Sequence, residues 1–363
     1  MHRRHRTRSR SHSLLLACSF GLVTTSVIAC DFDEEAPADD AVLEEIEAPA
    51  DLAAQGVVTC ARRASVSLPP APGTEDEPGT ATPPSLAGLR RPCPEGFVPM
   101  PTRRRGPKQL PGRPAVYTEA ADGTDDEGAG GAEDDRLAAA WGADYHYAAG
   151  YQWTWSRGAV VWMNQARPWL SPYDFHTLGE VAVQGVNTGN IVELGWTIDR
   201  GLYGDDYPHL FVFHWVNNQP GCYNGCGYVQ VSPYYYPGMW TAWDGSAHQF
   251  VVQWWQGNWW LAYDGVWMGY YPGYLWGGGH NESSLVQAFG EVAVAPGTTP
   301  CTDMGWYGHG TGGPNRAAMH NIYLIGDGNT WWANMQGWQD QWWWYNTGFM
   351  NPTAFYYGGP GGC

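Results

Sequence analysis

Beyond residue 140 the chain is written in short runs of aromatic and β-branched residues set between turn signals. Examples are 158–163, 210–216, 228–231, 249–255 and 259–263. Such runs favour strands. Within one of them Phe211, Phe213 and Trp215 alternate with Val212 and His214, the period of a strand with two unlike faces. Glycine-rich breaks such as Trp276-Gly277-Gly278-Gly279-His280 punctuate the series, and no helical periodicity of useful length intervenes. About 220 residues of this kind predict an all-β domain, an antiparallel two-sheet β-sandwich of jelly-roll-like type rather than a closed barrel.

The segment before it has a different character. Residues 31–140 hold no Trp, whereas all 22 Trp and 20 of the 21 Tyr follow residue 140. Low hydrophobicity with like charges cannot offset the entropy of ordering, so 31–51 and 119–135 read as disordered. The second of these carries Asp122, Asp125, Asp126, Glu127, Glu133, Asp134 and Asp135. It is expected to act as a pH-sensitive strap.

The start of the chain reads as an address. Arg3, Arg4, Arg6, Arg8 and Arg10 precede an apolar stretch from Leu14 to Ala29, the layout of a secretory signal. Its end, Val27-Ile28-Ala29-Cys30, resembles a bacterial lipobox with Cys30 as the lipidated residue; an ordinary signal cleaved near Ala29 is the plainer alternative. An exported protein, at the bacterial cell envelope or secreted, is expected, with any membrane contact made through a lipid at Cys30.

Charge removes other function classes. The formal net charge is −17, with 19 basic against 36 acidic residues. Nucleic-acid binding depends on Lys and Arg to neutralise phosphates, so no such partner is expected. After the leader no apolar run is long enough for a membrane span. A monomer is expected.

With Cys18 in the leader and Cys30 lipidated, six cysteines remain: Cys60, Cys93, Cys222, Cys226, Cys301 and Cys363. In an oxidising compartment an even number implies disulfides, with 15 possible connectivities. Local order favours Cys60–Cys93, Cys222–Cys226 and Cys301–Cys363. The Cys222–Cys226 spacing has no second CxxC or HxxxH to complete a zinc site, so neither metal nor cofactor is expected.

Familiar nucleophile signatures are missing. There is no GxSxG elbow, and Gly245-Ser246-Ala247-His248 lacks its spacing. Carboxylates remain. Glu193 in Ile191-Val192-Glu193-Leu194-Gly195 and Glu291 in Phe289-Gly290-Glu291-Val292 are acids inside apolar strands, where an unpaired carboxylate is costly. A solvated sheet face is the plainer reading of either one taken singly. Spacing alone leaves open a peptidase, a two-carboxylate glycosidase, or an aromatic-rich glycan-binding module.

An ordered set of motifs narrows this. Ile191-Val192-Glu193-Leu194-Gly195-Trp196 is followed by Gly201-Leu202-Tyr203-Gly204-Asp205 and then Gly221-Cys222-Tyr223-Asn224-Gly225-Cys226. Trp259-Trp260-Leu261-Ala262-Tyr263, Met268-Gly269-Tyr270-Tyr271-Pro272, Phe289-Gly290-Glu291-Val292 and Phe355-Tyr356-Tyr357-Gly358-Gly359-Pro360 come next. The set resembles the neprosin family of secreted peptidases, and Cys93-Pro94-Glu95-Gly96-Phe97-Val98-Pro99 resembles its propeptide element. The resemblance implies a glutamic endopeptidase on a β-sandwich, made as a zymogen, acting in acid and preferring to cleave after proline. Glu193 and Glu291 would form its dyad, one activating water and the other, protonated, holding the carbonyl oxygen. Trp196, Tyr203 and Trp260 are candidates for a cleft wall that receives a proline ring.

The expected organisation is a leader over 1–29, an acidic tether over 30–59, a propeptide region over 60–118, an acidic linker over 119–140 and a catalytic domain over 141–363. The chain departs from the family pattern in three places. The Cys222–Cys226 loop is one residue shorter, the linker carries an acidic insertion, and a cysteine expected upstream of Tyr356 is missing, which leaves Cys301 as the substitute partner of Cys363.

Overall fold

A computed structural model describes residues 42–47, 57–63, 71–72, 91–101, 142–185, 188–306 and 317–363. All of them belong to one compact unit, Ala36–Cys363. The leader, Cys30 and the acidic linker lie outside the described residues.

Three sheets form. A small antiparallel one joins β1 (Val42–Glu47), β2 (Val57–Arg63) and β3 (Val98–Pro101). The Cys60–Cys93 disulfide packs beneath it with Phe97. The other two sheets make the antiparallel β-sandwich that the residue pattern predicts. Their strands are β4 (Asp144–Ser156), β5 (Gly158–Asn164), β6 (His176–Gln184), β7 (Ile191–Asp199), β8 (His209–Val216), β9 (Gln219–Pro220), β10 (Val229–Gln230) and β11 (Ala247–Trp255). They continue with β12 (Asn258–Tyr263), β13 (Val266–Pro272), β14 (Ser283–Val294), β15 (Ala317–Ile325), β16 (Thr330–Trp332), β17 (Gln336–Gln339), β18 (Asn346–Asn351) and β19 (Ala354–Gly358). The seven-stranded sheet has the order β17-β4-β14-β6-β7-β8-β9. The nine-stranded sheet runs β10-β13-β12-β11-β5-β15-β19-β18, with β16 paired to β15.

Two-residue turns fix the register of the meander β11-β12-β13. Gln256-Gly257 and Asp264-Gly265 hold φ of 45° and 82°, and 47° and 75°. Both turn residues are left-handed in each case, the geometry whose twist matches antiparallel strands.

Strand parity then sorts the side chains. In β7, Val192, Leu194, Trp196 and Ile198 point between the sheets, where they join Val161, Phe250, Val252 and Leu261 in the main core. Burying each such side chain contributes roughly 1.5–3 kcal/mol, so this layer drives the sandwich together. The opposite parity of the seven-stranded sheet carries a second apolar cluster with Tyr147, Leu178, Phe211, Phe213, Tyr223 and Phe289. On that outer face lie the candidate acids. The Cys222–Cys226 disulfide closes the loop after β9, and Cys301–Cys363 ties the C-terminus to the segment after β14.

Candidate active site

β6 is the central strand of the glutamate face. Glu193 on β7 stands opposite Ala182, and Glu291 on β14 stands opposite Leu178. The two predicted acids are therefore not neighbours: β6 separates them. Between them on β6 is a third acid, Glu180, opposite Gly195 on one side and Phe289 on the other. Strand spacing of about 4.8 Å and a rise of about 3.3 Å per residue place Glu180 on the order of 8 Å, Cα to Cα, from each of the others. All three acids are 0% exposed.

Their contacts differ. Trp215 Nε1 donates to Glu193 Oε1 at 2.7 Å. His176 Nε2 lies 2.7 Å from Glu291 Oε1, and its Nδ1 is 3.9 Å from Asp199 Oδ2. The other oxygen of Asp199 accepts the Leu202 N–H at 2.9 Å, capping the short helix α1 (Arg200–Tyr203). A chain Asp199–His176–Glu291 thus anchors one acid to the end of β7. Glu193 Oε2 and both oxygens of Glu180 have no hydrogen-bond partner, nor does the Tyr223 hydroxyl.

Burial, above all, raises the carboxyls of Glu180 and Glu193 well above the ordinary range. For Glu180 the nearby Glu193 and Glu291 add to the effect; for Glu193 the Trp215 N–H opposes it and Glu291 reinforces it. Three carboxylates cannot share so dry a face, and protons must be held among them. Burial also raises the Tyr223 phenol, with Asp199 next in effect, so this hydroxyl stays a donor. Tyr223 is held in the Cys222–Cys226 loop and packs edge-on against Phe211 and Phe213, at 5.5 and 5.3 Å between centroids. Among the described residues no group of His, Cys, Asp and Glu has a metal-holding arrangement.

The predicted aromatic wall is only partly here. Tyr203, on α1, packs against the outer-face cluster and stacks on His209 at 3.8 Å. Trp196 does not line the face, because it is three residues from Glu193 and points into the inter-sheet core. Trp260 belongs to the nine-stranded sheet, packed with Val229 and Tyr270, and is likewise away from the acids. The aromatic groups that do flank Glu291 are Tyr147, which pairs with it across β4, and Phe289 and Trp338 packed on Tyr147 at 5.8 and 6.0 Å.

A nucleophile arrangement that the spacing did not reveal assembles elsewhere. His248 Nε2 is 2.8 Å from Ser246 Oγ, and its Nδ1 is 2.6 Å from Asp264 Oδ2. The Ser246 hydroxyl, however, donates to Asp244 Oδ1 at 2.5 Å. Its own N–H also goes to Asp244, and the Gly245 N–H goes to the Gln165 carbonyl. Neither of these two backbone donors is left for an oxyanion. We read the group as a polar clasp that fixes the start of β11.

The glycine beside the acids has a steric reason. A Cβ on Gly195 would run into the Gly179 carbonyl oxygen and the Cβ of Glu180. Gly195→Ala is expected to separate β6 from β7, lowering stability by about 2–3 kcal/mol and activity with it. Denaturant unfolding of the variant beside wild type measures the first effect and peptide cleavage the second.

Fold and site together define a hydrolase-like β-sandwich with an acidic cluster buried on one sheet face. The neprosin family profile matches residues 175–360, and the chain belongs to that family. It is a peptidase. Solved structures with similar folds include scytalido-glutamic peptidase bound to a peptide-based transition state analogue, at 9% identity and a TM-score of 0.36. That match covers 60% of this chain and 99% of the other. SCP-B, a member of the eqolisin family of peptidases, in complex with the tripeptide Ala-Ile-His, gives 9% identity and a TM-score of 0.35 over 59% and 98% of the two chains. Chicken galectin 2 gives 10% identity and a TM-score of 0.25 over 40% and 92%.

Proposed function

We propose that the protein is an exported zymogen of an acid-acting endopeptidase that cleaves after proline, with Glu193 and Glu291 as its dyad. The observation that carries this reading is the pair of predicted acids on one face, fully buried and on either side of β6. Their differing contacts support a division of roles. Glu291 has an imidazole on it and serves as the base that takes a proton from water. Glu193 receives only a neutral indole N–H, keeps its own proton, and donates a hydrogen bond to the developing oxyanion. The Tyr223 hydroxyl is a second donor for that oxygen.

Burial of the acids supports the zymogen, because substrate reaches them only after the face opens. Pro72, between Cys60 and Cys93, contacts the other, nine-stranded sheet, where Trp267 Nε1 donates to its carbonyl at 3.0 Å. Tyr147, Phe289 and Trp338 offer ring faces on which a prolyl ring can pack beside Glu291. Three disulfides suit an oxidising compartment, and we assign export to the leader, with Cys30 as the lipid-bearing residue and the domain boundaries as read from the sequence.

The purified chain, incubated in acid and assayed on proline-containing peptides from pH 2.5 to 7, should cleave after proline at the acid end, read by mass spectrometry. Replacement of both Glu193 and Glu291 by Leu should abolish this. No cleavage by wild type at any pH, or cleavage that survives the double replacement, would overturn the reading.

A further inference from the structure

We infer that Glu180 is a third working acid of the site, a neutral carboxylic acid between Glu193 and Glu291 that hydrogen-bonds the bound peptide. The inference rests on the peptidase reading above and adds a residue to it.

The geometry leads there in three steps. Glu193 and Glu291 are separated by a whole strand, and Glu180 fills the interval, diagonal to both on the same face. A peptide bond handled by the two outer acids must pass over it. Second, Glu180 is completely buried and neither of its oxygens has a partner, so the folded chain leaves an unsatisfied donor and acceptor aimed at that passage. Such groups are rare in native proteins, and a ligand is a standard explanation. Third, Gly195 stands opposite Glu180 and packs directly on it, where a Cβ would strike the Glu180 Cβ and the Gly179 carbonyl oxygen, so β7 lays no side chain of its own over Glu180 at this position.

The protonation state follows from what surrounds it. Glu291, Tyr147 and Tyr145 share this face from β14 and β4; Glu193 and Asp199 from β7; His209 from β8; Tyr223 from its loop; and His176 lies on the same strand. The basic group His176 is engaged with Glu291 and Asp199, and no donor reaches Glu180. A carboxylate there would face two further acids without compensation. As a carboxylic acid it both donates and accepts, and can hold a peptide C=O or N–H while Glu291 takes the proton from water and Glu193 hydrogen-bonds the oxyanion.

The test uses Glu180→Gln and Glu180→Leu in the full chain, matured in acid, with wild type and the Glu193/Glu291 double replacement alongside. An amide keeps the neutral donor and the acceptor, so Glu180→Gln should retain kcat/KM within about 10-fold. Its alkaline limb should move to higher pH, because one proton whose loss ends activity can no longer leave. Glu180→Leu should lose on the order of 100-fold. Thermal unfolding at pH 7 should show both variants at least as stable as wild type, since each removes an uncompensated acid. Wild-type activity in the Leu variant overturns the proposal, as does a Gln variant no better than Leu with an unmoved pH profile. If Leu fails to fold, the Gln variant's rate and alkaline limb still decide. Wild type without acid-dependent cleavage, or cleavage in the double replacement, instead overturns the peptidase reading itself.

Discussion

Glu291→Gln should reduce kcat/KM by at least about 1,000-fold, while Glu193→Gln should lose only about 10- to 100-fold. The asymmetry follows from the contacts. Glu291 is bonded to His176, which Asp199 approaches from behind, so the arrangement suits a carboxylate that accepts a proton from water. An amide cannot accept that proton, and each tenfold lost corresponds to about 1.4 kcal/mol in the barrier. Glu193 meets an indole N–H and is otherwise buried, which favours its protonated form. An amide N–H can stand in for a carboxylic O–H toward an oxyanion, and some activity survives. Single-turnover kcat/KM of the two variants at the wild-type optimum measures the difference. A deeper loss in Glu193→Gln would exchange the two roles.

Much of this site was legible in the chain, and what was not has particular causes. The signal that singled out Glu193 and Glu291, an acid inside an apolar strand, is present a third time in Leu178-Gly179-Glu180-Val181-Ala182-Val183. Glu180 was therefore findable by the same rule. Trp196 could have been set aside by parity, because a residue three positions from Glu193 in a strand faces the other way. Trp260 needed the strand order, since only pairing puts β12 in the other sheet. The Ser246–His248–Asp264 clasp and the Asp199–His176–Glu291 chain join residues from different strands or across a turn, and no local spacing encodes them. The sandwich itself was readable because both of its faces are written in alternation: β7 buries Val192, Leu194, Trp196 and Ile198 against the opposing sheet, and turns its acid to the other side.

The acid action proposed above requires a fold that survives acid, and here the fold carries opposing devices. His214 and His280 are buried, and burial pushes them down to about 4 and about 3. The ring of His280 lies against Trp259 and Trp276, at 4.9 and 5.2 Å, and burial there outweighs the opposing backbone contact of Glu282. A group whose folded pKa lies below its unfolded value stabilises above the unfolded pKa. That stability is lost as pH falls from about 6.5 through the folded value. For these two histidines the loss is complete only below about pH 3, and together it is on the order of 8 kcal/mol. Glu180 and Glu193 act in the other direction. Their folded pKa values are raised, so their contribution is full below about 4.5 and declines as pH rises. The thermal midpoint should therefore peak in mildly acid solution and fall on both sides. His280→Phe removes the titrating nitrogens while keeping a ring between the two indoles. It should lift the midpoint below pH 4 relative to its own value at pH 6, and leave the alkaline side unchanged. Scanning calorimetry of wild type and variant from pH 2.5 to 7 measures this. An acid limb of unchanged steepness would show that His280 does not set the lower bound, and that the floor comes from other groups, His214 first among them.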